Sequence, residues 1–250
     1  MRQVLIYADR WPTAIALQAL CQQQVPQCKT VHCDSLEKLS AYIQSCLYSP
    51  LILCIRHPHE HVSLLYALRV FLQNRRVLVI ADDFYYNDRL MLKGLGVTPL
   101  ETMQLSSLLT GVQDVNHPLT CFVAHFEQDV IDGEICAFDD IVCNNAQELL
   151  AEMNRWMVTQ MNISILSFEE IMVLIGVCNK QSLTSISHRL NLHLKKVSVY
   201  KIRALHKLGM YNHDKVILRG VFLHANLQCT SFISRKDFIS LAEKYHRWSC

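Results

Sequence analysis

Apolar residues in the first hundred positions fall into short runs separated by stretches with helical spacing. Runs of strand length occur at QVLIYAD (3–9), KTVHC (29–33), PLILCI (50–55), RRVLVIA (75–81) and VTPL (97–100). Between them, residues 14–20, 36–43, 62–72 and 88–95 place apolar side chains three and four positions apart, the spacing of a helix that packs one face on a sheet. Strands that alternate with helices predict a parallel α/β sheet, because parallel neighbours need a crossover connection. Five such units within about 100 residues have the size of a flavodoxin-like domain.

The pattern then changes. Residues 103–163 read as mostly helical, with breaks at Asn116-His117-Pro118 and Asp132-Gly133 and a periodic segment AQELLAEMNRWMVTQM at 146–161. Ser167 with Glu170 three positions on forms a capping box that opens a helix through residue 175. A short helix around 183–190, a turn at 191–194 and a third helix over about 195–208 follow, with Gly209 placed to end the last. In that third helix Val197, Ala204, Leu205 and Leu208 share one side, while Lys195, Ser198, Val199, Ile202 and His206 share the other. A helix with an apolar face on two others and a basic outer face suits a reader of the DNA major groove. A fourth helix over about 212–223 carries Val216, Ile217, Phe222 and Leu223, apolar enough to pair with a second subunit or to pack at home. The tail 224–250 holds an amphipathic segment, SRKDFISLAEKYHRW, to which the sequence assigns no role.

Charge sharpens the division into halves. Residues 166–250 carry thirteen Lys and Arg against five Asp and Glu, a net +8, whereas residues 1–165 carry −6. Such asymmetry points to two domains, the basic one facing a polyanion. With 250 residues, 51% hydrophobic and 18% charged, the chain has enough apolar material for a real core. The N-terminus lacks an apolar signal region, and nowhere do about 18 apolar residues run without a charge, so a cytoplasmic protein without a membrane span is expected. Eleven scattered cysteines, odd in number and without a C-x-x-C pair, are expected to be reduced and mostly buried.

The order of elements in residues 1–112 resembles the receiver domain of response regulators. Receivers gather acids at the carboxyl ends of the first and third strands to bind Mg²⁺ and accept a phosphoryl group. Here the first strand ends in Ala8-Asp9, one acid of the usual pair. In LILCIRHP the acceptor position, four residues before Pro58, is Cys54, and no Asp or Glu lies within 49–59. Ala81 stands where receivers carry Ser or Thr, and VTPLETM offers no lysine after the fifth strand. The resemblance therefore implies a degenerate phosphoacceptor pocket of Asp9, Cys54 and Ala81, unable to take a phosphoryl group in the usual way. Three histidines beside that cysteine, in LILCIRHPHEH, open an alternative: Cys54, His57, His59 and His61 as ligands of a metal- or redox-responsive sensor. The usual ligand spacings are absent, and a thiol in apolar surroundings is inert, so neither metal nor other cofactor is expected.

Residues 166–215 resemble the LuxR/FixJ-type helix-turn-helix family. Leu166-Ser167, Glu170, Val173-Leu174, Ile186, Leu190, Val197 and Lys207-Leu208-Gly209 fall in the family's register, and KKVSVYKIRALHKLG is closest to the RcsB/RcsA subgroup. Glu169, Ser187 and His193 depart from it, His193 standing where Ser or Thr commonly caps the recognition helix. The resemblance and the helical face together make Lys195, Lys196, Lys201 and Lys207 candidates for phosphate contacts. Ser198, Val199 and Ile202 are candidates for base edges, the aliphatics against thymine methyls.

The expected protein is a bacterial-type transcription regulator. It comprises a receiver-like α/β domain at 1–112, a helical connector at 113–163, an all-α helix-turn-helix domain at 164–223 and an extension at 224–250. Double-stranded DNA is the expected partner, bound as a homodimer or as a heterodimer with another LuxR-type regulator, the mode the subgroup implies for incomplete receivers. A protein-interaction module that no longer binds DNA is the other alternative. An enzyme is not expected, since no Gly-rich phosphate loop, nucleophile elbow or framed carboxylate pair is present.

Overall fold

The chain opens with a strand whose apolar residues are buried on both faces, and four more follow in parallel. The computed structural model describes residues 3–248, apart from 27, 47, 74, 98–101, 109, 111–116, 125–135, 165 and 211–213. It divides into two units, one of Met1–Phe84, Leu92–Val142 and Thr230–Cys250, the other of Tyr85–Met91 and Cys143–Cys229.

In the first unit β1 (Gln3–Ala8), β2 (Lys29–Cys33), β3 (Leu51–Cys54), β4 (Val77–Ala81) and β5 (Thr102–Gln104) form one sheet in the order β2-β1-β3-β4-β5, every pair parallel. The fifth strand lies beyond the predicted 97–100, of which 98–100 fall outside the described residues. Helices α1 (Trp11–Gln24), α2 (Leu36–Ser45), α3 (Val62–Gln73) and α4 (Tyr86–Gly94) make the crossovers. Because helices cover both faces, β3 and β4 are buried at every residue, which is why they read as unbroken apolar runs. The register pairs Ala8 with Cys54 and Cys54 with Ile80, so β1, β3 and β4 end side by side where the strand order reverses.

At the opposite edge a buried guanidinium joins three elements. Arg75 donates from Nε to the Phe71 carbonyl (2.9 Å), from Nη1 to Ser49 (3.3 Å) and from Nη2 to Ile43 (2.8 Å). It thereby satisfies carbonyls at the ends of α2 and α3 that have no partner within their helices, and burial pulls its pKa down to about 10.

The stretch read as a connector, 113–163, and the tail, 224–250, are divided between these units. The stretch taken as a connector splits: α5 (Pro118–Ala124) packs Leu119, Phe122 and Val123 into the core shared with Val4, Ile6 and Leu17, whereas α6 (Ala146–Ser164) belongs to the second unit. The expected turn at Asp132-Gly133 lies outside the described residues. The amphipathic segment of the tail forms α11 (Arg235–Trp248), which belongs to the first unit and packs on α2.

The second unit is helical: α6, α7 (Phe168–Cys178), α8 (Leu183–Leu190), α9 (Leu194–Lys207) and α10 (Asp214–Gly220). Met153, Met157 and Met161 of α6 are fully buried, and Asn154 exchanges hydrogen bonds with the backbone of Leu223 (2.9 and 2.8 Å). The fourth predicted helix is shorter than expected. Of the apolar residues read there, Ile217 and Leu223 are buried, while Val216 and Phe222 are half-buried.

Candidate nucleic-acid interface

Three helices build the candidate site, and local chemistry fixes each of their ends. Ser167 accepts from the Glu170 N–H while Glu170 accepts from the Ser167 N–H (2.9 Å), so the expected capping box forms at the start of α7. Ser182 caps α8 by accepting from the Ser185 N–H (3.1 Å). The turn needs a left-handed residue, which Asn191 supplies at φ 50°, and the Ser187 hydroxyl donates to the Leu192 carbonyl across it. His193 does cap the recognition helix: its Nδ1 accepts from the Lys195 N–H at 3.2 Å, which leaves the ring proton on Nε2. Gly209, at φ +65°, ends α9 as the sequence predicts.

The three helices meet in a small core of Val173, Ile186 and Val197, each fully buried. Their approach depends on Gly176, where a Cβ would lie 2.7 Å from Ile186 Cγ1. Nothing in a lone glycine within an apolar run announced that contact.

Against this support, α9 turns one face outward. Lys195, Lys196, Val199 and Ile202 are exposed, the last two at 50% and 48%, while Ser198 and Lys201 are half-buried beside them. Arg203 and His206 are exposed on the same side. Half-exposed aliphatic side chains framed by cations form a surface chemically able to meet both phosphates and thymine methyls.

Lys207 is placed differently. Its ammonium donates to Glu170 Oε2 at 2.7 Å, and Arg203 Nε lies 3.8 Å from Oε1 of the same carboxylate, which is 1% exposed. Burial pushes the Glu170 carboxyl up, but the hydrogen bonds from Lys207 and the Ser167 N–H, with the charges of Lys207 and Arg203, outweigh it and hold the group below the ordinary carboxylate range. Lys207 thus binds α9 to α7.

The residues expected in the degenerate pocket do converge at the carboxyl edge of the first unit's sheet. Cys54 closes β3 at 3% exposure, and Ala81 ends β4, buried. Burial, then the charges of Asp9 and Asp82, push the Cys54 thiol up to about 12 against the opposing pull of Arg10, so it stays protonated. Asp9 Oδ2 accepts from the Arg56 N–H (3.2 Å), Arg56 Nε donates to Asp82 Oδ2 (3.0 Å), and the Asp82 N–H donates back to the Arg56 carbonyl (3.0 Å). Arg56 therefore staples the ends of β1, β3 and β4. These residues do not fit the hard divalent cation of the receiver fold: the acids already hold a guanidinium and an amide, and the position of the acceptor carboxylate is a buried thiol.

The histidines gather without forming a ligand set. The His57 and His59 rings lie 5.7 Å apart, His59 is 1% exposed, and burial lowers the His61 pKa despite the nearby charges of Asp9 and Glu60. Among the described residues no three His, Cys, Asp or Glu side chains group so as to hold a metal ion. No helix among them is long and apolar enough to cross a membrane.

No family model matches the chain, and no curated protein does. Solved structures match at low identity. A structure of two RcsB dimers bound to two parallel DNAs is 15% identical, with a TM-score of 0.56 over 87% of this chain and 96% of that one. RcsB of Salmonella enterica serovar Typhimurium, bound to promoter rprA in the presence of phosphomimetic BeF3⁻, is 15% identical with a TM-score of 0.55, covering 88% and 98%. The response regulator RcsB–DNA complex gives 0.53 at the same identity, covering 87% and 96%. The chain therefore has the fold of an RcsB-type response regulator, a flavodoxin-like receiver domain joined to an all-helical C-terminal domain.

Proposed function

We propose that this chain is a DNA-binding transcription regulator of the LuxR/FixJ type, close to the RcsB-like subgroup, that acts in the cytoplasm without phosphorylation of its receiver-like unit. The observation that carries the reading is the outward face of α9: Val199 and Ile202 half-exposed between Lys195, Lys196 and Lys201 on a helix capped at both ends. Aliphatic groups left in water cost free energy unless a partner covers them, and a groove lined by phosphates with methyl groups on its floor supplies both complements. Residues 164–223 form the reading module. Lys195, Lys196 and Lys201 take phosphates, and Ser198, Val199 and Ile202 meet base edges. Lys207 supports the module from within through Glu170.

RcsB was solved as dimers on DNA, and a dimer is the assembly proposed here. Selection from a random duplex library tests both points, beside Lys195→Ala/Lys196→Ala. A palindromic motif lost in the variant is the result expected of a homodimer, and half a motif that of a chain which pairs with a related regulator. Retention without any enriched sequence, unchanged in the variant, would sink the reading.

A further inference from the structure

Left-handed backbone occurs at three described residues of the second unit, and one of them is a residue that such backbone does not suit. Gly209 has φ 65°, Asn191 φ 50° and Lys180 φ 59°. Glycine has no Cβ to clash there, and the short amide of asparagine is tolerated. A lysine has neither advantage.

The end of α7 forces this conformation on position 180. Asn179 closes the helix, the Lys180 N–H donates to the Val177 carbonyl (2.9 Å) and the Gln181 N–H to the Gly176 carbonyl (3.0 Å). This pair of bonds is the helix terminus that favours glycine one residue beyond the cap. The turn has no slack in which to relax, because Ser182, two positions on, already caps α8.

What the lysine adds is charge that nothing nearby opposes. Lys180 is exposed, and from 171 to 213 the sequence holds seven Lys and Arg and no Asp or Glu. Glu170 is buried and held by Lys207 and Arg203. Glu169 opens the far end of α7, roughly 16 Å away along the helix. An ion pair within these three helices therefore does not account for a lysine in a strained turn, and strain kept at an exposed position points to a partner outside the chain.

Its place suggests which partner. In helix-turn-helix docking the helix before the reader crosses the phosphate backbone while the reader lies in the groove. Here the helix before the reader is α8, and Lys180 lies two positions ahead of its cap. We infer that Lys180 is a further phosphate contact of the proposed interface, on the DNA backbone beside the groove that α9 enters. It stands where glycine would give the more stable turn. The inference rests on the DNA-binding reading and adds to it a contact outside α9.

The test uses full-length chains. Lys180→Gly and Lys180→Asn remove the charge and suit the backbone, Lys180→Arg keeps both charge and strain, and Lys29→Gln removes an exposed charge from β2 of the first unit. Without DNA, amide hydrogen exchange at Val173 and Leu174, fully buried in α7, should slow about 3-fold in the Gly and Asn variants and match the parent in Lys180→Arg. With a duplex selected by the parent, the Gly and Asn variants should bind about 5-fold more weakly at low salt and lower the slope of log affinity against log salt by about 1. Lys180→Arg and Lys29→Gln should keep the parent's slope. A lysine that only solvates the turn would give the gain in stability without the loss of binding. Parent-like affinity and slope in Lys180→Gly, with Lys195→Ala/Lys196→Ala still weakened, overturns the contact and leaves the DNA-binding reading standing. A parent that retains no duplex overturns both. Exchange no slower in the Gly and Asn variants overturns the claim that lysine is kept there against a more stable turn.

Discussion

Glu170 is almost inaccessible to solvent and still charged, because Lys207, Arg203 and the Ser167 N–H surround its two oxygens. Its folded pKa is depressed, so its contribution to stability is present above the unfolded value of about 4.3 and is lost as pH falls through the lower folded value. Glu170→Gln is expected to unfold at lower temperature at neutral pH, by about 3 kcal/mol for a broken buried pair, and to lose less than the parent on acidification. Circular dichroism melts across the acid range check both. Arg75→Met tests a buried cation. It strands three carbonyls and should cost about 2 kcal/mol or more, read by the same melts. Of these residues the capping box was legible, since Ser167 and Glu170 are three positions apart and act locally. The pairing of Lys207 with Glu170, 37 positions away, was not legible, because a lysine on a basic helix looks the same with or without such a partner. Arg75 left no trace, as a guanidinium answered by carbonyls needs no acid nearby in the sequence.

Among the helices, α9 joins two kinds of side chain that the proposed DNA-reading role would separate. Lys195→Ala/Lys196→Ala should weaken binding to all duplexes alike and reduce the slope of log affinity against log salt by about 2. Val199→Ala or Ile202→Ala should leave the slope alone and relax preference at one or two base pairs, by about 1–3 kcal/mol each. Titrations at several salt concentrations distinguish them, and a variant of Val199 that changed only the slope would remove it from the base-reading set. Gly176→Ala belongs at this scale too, because it acts through the distance between α7 and α8. The new methyl meets Ile186, and the clash should cost about 1–3 kcal/mol, offset in part by the better helix propensity of alanine. Periodicity located these helices because one face of each is buried in a regular repeat, and unbroken apolar runs located strands such as β3 and β4, which are buried at every residue. It misplaced β5, a three-residue strand too short to show a period.

At the scale of the whole molecule, the sequence separated a receiver-like half from a basic helical half, since charge and period both change between them. It did not show that the last helix belongs with the first half. An amphipathic pattern says that a face is buried, not against what, and α2 lies nearly 200 positions upstream of Phe238. What remains is how a molecule of this design is switched. A receiver responds to a phosphoryl group when a carboxylate accepts it and a divalent cation screens the added charge. In this chain the acceptor position is a thiol held protonated, and Arg56 occupies Asp9 and Asp82. Mg²⁺ with beryllium fluoride should therefore change neither the melting temperature nor the affinity for a selected duplex. Cys54→Asp alone should stay unresponsive, because the new carboxylate meets acids already bound to Arg56 and no hydroxyl at Ala81. Cys54→Asp with Arg56→Ala should acquire Mg²⁺-dependent melting, since three carboxylates then meet at one sheet edge without the Arg56 guanidinium on Asp82. A parent chain that responded to Mg²⁺ and beryllium fluoride would show that the pocket works through groups other than these, and would end the case for phosphorylation-independent control.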